Sequence, residues 1–112
     1  MNDNDLKQMA ARFITNNATL FELAKSDKLS TEVDTTCDRE SIIRFHVRHT
    51  CARLEIVRDH DKRTTQYHVE KPLDGDGHFA TFKTSCSDTA IRVLMFTVAI
   101  LNDIQTQIER VG

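Results

Sequence analysis

The chain is poor in the residues that interrupt structure. One proline and three glycines in 112 residues leave little room for linkers or low-complexity tails. No internal repeat is visible. Cysteine is scarce as well: Cys37, Cys51 and Cys86 are odd in number, far apart and without a C-x-x-C pair. That pattern argues against a disulfide framework and predicts free thiols in a reducing compartment. The apolar run from Val93 to Leu101 is about half of the ~20 residues that a bilayer span requires. The opening Met1-Asn2-Asp3-Asn4-Asp5 is polar and predicts no secretory signal. These absences together predict a cytoplasmic protein with no membrane contact. Neither a G-x-G-x-x-G nor a Walker A pattern occurs, and no cofactor is indicated.

There is also no surplus of charge of one sign. Fifteen basic and 17 acidic residues give a net charge of −2, which is not a nucleic-acid footprint. The distribution is uneven, however. Between Arg39 and Lys71, eight Lys or Arg face five acids, an excess of three, and the remainder of the chain is acidic by five. The middle is mildly basic and the ends are acidic.

The length predicts one domain over residues 1–112, able to bury perhaps ~65% of its unfolded surface without covalent staples. A 39% hydrophobic and 29% charged composition is that of a globular chain. Residues 4–25 read as a helix, because Leu6, Met9, Ala10, Phe13, Leu20, Phe21 and Ala24 recur at helical spacing. Asn2, Asp3 or Asn4 can cap its start, and the weak formers Thr15-Asn16-Asn17 predict a kink or an early end. Residues 31–37 read as a short edge strand.

From Ser41 to His49 the chain alternates, with Ile43, Phe45 and Val47 on one side and Ile42, Arg44, His46 and Arg48 on the other. Ala52, Leu54 and Ile56 against Arg53, Glu55 and Val57 make the next strand, and Asp59-His60-Asp61-Lys62 the loop after it. Thr65, Tyr67 and Val69 against Gln66, His68 and Glu70 follow, until Pro72 stops the ladder. Asp74 to Gly77 reads as a turn and His78 to Lys83 as a further strand. Ser85 with Asp88 three residues on resembles a capping box for a last helix running to about Arg110. The expected fold is α+β: a two-layer sandwich in which an antiparallel meander of 4–5 strands is flanked by an N-terminal and a long C-terminal helix.

The last helix carries the sharpest signal. One apolar stripe, Ile91, Leu94, Val98, Leu101 and Ile108, suits the sheet. A second, Val93, Phe96 and Ile100, needs another cover, and in so short a chain that cover is predicted to be a second copy. The expected state is a homodimer through Val93, Phe96 and Ile100.

The other candidate surface is the polar sheet face of Arg44, His46, Arg48, Arg53, Gln66 and His68, where an acidic protein or another anionic ligand could sit. The lack of aromatic side chains in this set and the neighbouring Glu residues argue against nucleic acid. The competing reading is a solvated face of cross-strand ion pairs, Arg53 or Arg44 opposite Glu70 or Glu55. The histidines His46, His49, His60, His68 and His78 lack the tight paired spacings of zinc sites, so no metal is predicted. Asp74-Gly75-Asp76-Gly77-His78 starts like a calcium loop, but Ser85 stands where the twelfth-position Glu belongs. Cys51 near His49 is the one nucleophile–base pair by spacing, without a signalled pocket, orienting group or oxyanion donor. No catalytic residue is assigned, and the question of enzymatic activity stays open.

The leading expectation is a non-enzymatic, self-associating binding or regulatory module acting through protein–protein contact. The alternative is a small-ligand-binding protein or minor enzyme with a pocket between sheet and helices. Closed packing of Phe13, Phe21, Phe45, Tyr67, Phe82 and Phe96 would oppose that alternative, and a cavity above ~300 Å³ reaching His49, Tyr67 or Cys51 would favour it. A further alternative is weak nucleic-acid binding through the basic middle, which would show a steep salt dependence.

Overall fold

A computed structural model describes the backbone of residues 2–50, 52–72 and 79–111, and their side chains other than Pro72, Phe79 and those from 101 onward. His78, where the expected strand from His78 to Lys83 begins, the turn at Asp74–Gly77, Cys51, and the side chains of Leu101 and Ile108 lie outside the described residues. The fold is α+β. Helices α1 (Asp3–Thr15) and α2 (Ala18–Lys25) precede a five-stranded sheet of β1 (Leu29–Asp34), β2 (Glu40–Val47), β3 (Arg53–Asp59), β4 (Thr64–Pro72) and β5 (Phe79–Thr84). Helix α3 (Ser87–Val111) ends the chain. The strands lie in sequence order and every pair is antiparallel, so the sheet is a meander.

The N-terminal helical segment breaks where its weak formers stand. The Asn17 side chain accepts a hydrogen bond from the Leu20 amide at 3.1 Å and starts α2, while the Asn16 amide closes α1 on the Arg12 carbonyl at 2.9 Å. Asn2 and Asp5 exchange side-chain bonds to each other's amides, a complete capping box. Asn17→Ala is expected to lower stability by about 0.5–2 kcal/mol, because the α2 start loses its acceptor. Urea denaturation checks this.

The break also shifts the apolar stripe. Leu6, Ala10 and Leu20 are buried, but Met9, Phe21 and Ala24, expected on the same stripe, are exposed. A single stripe over residues 4–25 presupposes one unbroken helix, and two helices that meet at Asn16-Asn17 do not share a phase.

Strand β1 begins at Leu29, earlier than expected, because Leu29 pairs with Val47 and both are buried. It stops at Asp34, whose Oδ1 accepts from the amide and the hydroxyl of Thr36 at 2.9 and 2.6 Å and folds the chain out of the ladder. Strand β2 stops at Val47, so Arg48 and His49 belong to the hairpin, where His49 takes a left-handed φ of 67°. Helix α3 starts at Ser87 instead of following a cap at Ser85; the Cys86 carbonyl accepts from the Ala90 amide at 3.1 Å.

The inward rows of the sheet are Phe45–Leu54–Val69 and Ile43–Ile56–Tyr67. Phe13 of α1 stacks between two of them, 5.8 Å from Phe45 and 6.2 Å from Tyr67 by ring centroids. Ala90, Ile91, Leu94, Thr97 and Val98 of α3 are buried in the same layer, so both helical segments cover one face of the sheet. Among the described residues, no helix is long and apolar enough to cross a membrane.

Candidate functional site

On the outward face, strand register decides what the basic residues meet. Arg44 stands opposite Glu32 and Glu55, Arg53 opposite His46 and Glu70, and His68 opposite Glu55 and Lys83. The side chains close these pairs. The Arg44 guanidinium lies 2.9 Å from Glu55 and 3.5 Å from Asp34, and Arg53 lies 2.9 Å from Glu70 and 3.9 Å from Glu55. Glu55 is only 8% exposed and ties the two arginines together. Arg48, beyond the end of β2, reaches Asp27 at 3.7 Å. The six expected residues are therefore present near one face, but Arg44, Arg48 and Arg53 each have a carboxylate beside them. The arrangement is an alternating lattice with little net potential, so its grip on an anion or on nucleic acid is weaker than a count of arginines suggests.

The histidines of this face have ordinary partners. His46 Nε2 donates to the Thr50 carbonyl at 2.8 Å, and His68 Nε2 lies 3.3 Å from Gln66 Oε1. Among the described residues, no group of three His, Cys, Asp or Glu is placed to hold a metal ion.

The lattice has a pH signature. A hydrogen bond from Arg53 holds the Glu70 carboxyl below its ordinary value of 4.5, and the hydrogen bond from the Thr36 hydroxyl, followed by its amide, does the same for Asp34 against 3.8. A carboxyl lowered in the folded state stabilises the fold above its unfolded value, and that stabilisation disappears as pH falls through the folded value. The urea midpoint is expected to stay level from neutral pH down to about 5 and to fall below that. Glu70→Gln should make the fall shallower, with a lower midpoint at neutral pH.

The outer side of α3 is the second candidate. Phe96 is 68% exposed and Ile100 is 43% exposed; Val93, the third residue of the expected stripe, is half-buried against the core. Phe96 comes two residues after the fully buried Leu94, about 200° around the helix, so it points away from the sheet.

A third feature lies where α1 crosses the open ends of the central strands, and the sequence reading missed it. Ser41, Arg58 and Thr65 are register partners across β2, β3 and β4, in phase with the inward Ile43, Ile56 and Tyr67. Arg58 donates to the Thr65 hydroxyl at 2.9 Å, and among the described residues no carboxylate lies within ion-pair distance of it. These residues, with Leu6, Met9, Ile43 and Ile56, line a cavity of about 300 Å³. Ser41 also closes a polar cleft of about 300 Å³ with Thr35, Cys37, Asp38 and His60, and its hydroxyl lies 2.7 Å from His60 Nε2. The cavity stands away from His49 and is separate from the stacked Phe13, Phe45 and Tyr67.

The signal for Arg58 was available: it falls on the apolar phase Leu54, Ile56, Arg58 of its strand. The Ser41–His60 contact was not, since it depends on how β2 and β3 pair. Cys86, exposed at the start of α3, has its thiol held below the ordinary value by hydrogen bonds from the Thr89 hydroxyl and amide.

Comparison with protein-family models, with curated proteins and with solved structures finds no match, so function must be read from the side chains themselves.

Proposed function

We propose that this chain is a single-domain, non-enzymatic binding module of the cytoplasm that self-associates through α3 and acts by protein–protein contact. The observation that carries the reading is the exposure of Phe96 and Ile100 on the side of α3 opposite its core stripe. Water-exposed aromatic and aliphatic side chains in one row are what interfaces bury, and among the described residues nothing of the same chain covers Phe96 or Ile100. A second copy offers the same row, and a two-fold axis pairs a surface with itself.

Such a dimer turns both sheets outward. The face carrying Arg44, His46, Arg48, Arg53, Gln66 and His68 is then free for a partner. Because its arginines alternate with Asp34, Glu55 and Glu70, it suits a protein surface bearing both signs of charge. The free thiols Cys37 and Cys86 accord with a reducing compartment. Ser41, the hydroxyl that meets an imidazole, is only 4% exposed and is not presented as a nucleophile. Light scattering at micromolar concentration is expected to give twice 12.8 kDa. A monomer across that range would overturn the reading.

A further inference from the structure

We infer that the cavity between α1 and the ends of β2, β3 and β4 is a binding site for a small aliphatic carboxylate, with Arg58 as the anchor of its head group. The inference is independent of self-association, because the cavity and the outer side of α3 are different surfaces. Its first support is the position of Arg58. Arg58 occupies an inward position of β3, two residues on from Ile56 and four from the fully buried Leu54, where apolar side chains belong. Arg58 is half-buried there, and a guanidinium partly withdrawn from water is best satisfied where a negative charge meets it. One hydroxyl, Thr65 Oγ1, accepts from it, and the other arginines facing the sheet's opposite side each have a carboxylate.

The second support is the composition of the walls. Leu6, Met9, Ile43 and Ile56 supply an apolar chamber, and the polar groups are confined to the row Ser41–Arg58–Thr65 at one side. An apolar enclosure with a few convergent polar groups is the usual form of a small-ligand site, and about 300 Å³ is the lower end of that range. A chain of a few methylenes would fill it; a polycyclic molecule would not.

The third support is the charge of the head group. One guanidinium fork matches one carboxylate in a two-bond geometry. Neither lysine nor a second arginine lines the cavity to balance a phosphate dianion. Thr65, which accepts from Arg58, keeps its own hydroxyl proton to donate to a remaining carboxylate lone pair, while the Ser41 hydroxyl on the other side of the fork is engaged by His60 Nε2 at 2.7 Å. Met9, exposed at the rim on α1, is flexible enough to admit the chain.

The test uses the full chain, labelled with nitrogen-15 and titrated with octanoate, 1-octanol and acetate, and with a short peptide ending in a free leucine carboxylate. Saturable octanoate shifts at Leu6, Ile43, Ile56 and Arg58 are expected, with octanol weaker by about ten- to hundredfold for want of the charged hydrogen bonds. Acetate should not saturate. Arg58→Gln should lose that same factor for octanoate and leave octanol unchanged, Arg58→Lys should recover part of it, and thermal melting establishes that each variant is folded. Ile56→Phe, which fills the chamber and leaves the guanidinium, should weaken octanoate and octanol alike. The proposal is overturned if octanoate gives no saturable shift, if octanol binds as tightly as octanoate, or if Arg58→Gln binds octanoate like the unaltered chain. It is equally overturned if the peptide displaces octanoate with higher affinity, since the site would then recognise a protein terminus.

Discussion

Leu94→Ala is expected to destabilise the fold by about 2–5 kcal/mol, toward the upper end. Leu94 is fully buried, in one cluster with Leu54 and Val69 of the central strands and with Ala90 and Val98 on its own helix. Removal of its branched end forfeits the transfer free energy of those carbons and leaves a void. The void cannot close easily. β3 and β4 each have hydrogen-bonded neighbours on both sides, which hold their backbones in register. Of the residues one turn away on α3, Ala90 has no chain to extend, and Ile91, Thr97 and Val98 are β-branched and stiff at χ1, so none swings readily into the void. Met9→Ala removes similar volume from an exposed side chain and should cost well under ~1 kcal/mol. Urea denaturation at several protein concentrations separates the fold from any coupled association. A Leu94→Ala loss below ~1 kcal/mol would mean that α3 settles onto the sheet without this contact.

What the residues made legible and what they did not divides along a physical line. Short-range periodicity was readable. Ile43-Phe45-Val47, Leu54-Ile56 and Tyr67-Val69 all face the helices, and Ile91, Leu94 and Val98 are the buried stripe of α3. The break at Asn16-Asn17 was readable because asparagine caps better than it propagates a helix. Consequences of register were not. The alternation limits the acids opposite Arg44 and Arg53 to Glu55 and Glu70, as found, but which acid meets which arginine depends on how the strands align, and so does the meeting of Ser41 with His60 across 19 residues. The Leu29 start of β1 is likewise a pairing effect: tertiary contact with Val47 extends a strand beyond its local propensity. Arg58 is a different case. Its phase is visible in the sequence, but the basic stretch around it masks the signal. A charged residue on the apolar phase of a strand says more than the net charge of the segment around it.

If the chain self-associates as proposed, Phe96→Asp is expected to leave it a monomer with the fold intact. The side chain points away from the core and is 68% exposed in the single chain, so the substitution removes no core contact. Its local cost is that of a moderate helix former replaced by a slightly poorer one, a few tenths of a kcal/mol. In the dimer the effect is of another size. A carboxylate pressed into an apolar seam loses its water and gains no partner, which costs several kcal/mol for a fully desolvated charge. A two-fold axis brings in the substituted residue twice, and the two carboxylates repel each other across it. The mass by light scattering should fall from twice 12.8 kDa to 12.8 kDa, while the melting curve of the monomer keeps its cooperativity. Val93→Asp should behave differently, since Val93 is half-buried against the core and its loss would strike fold and interface together. If Phe96→Asp unfolds the chain, the outer stripe belongs to the core. If the variant remains a dimer, the seam lies elsewhere, and the exposed Phe21 of α2 and Phe82 of β5 are the next apolar side chains to replace.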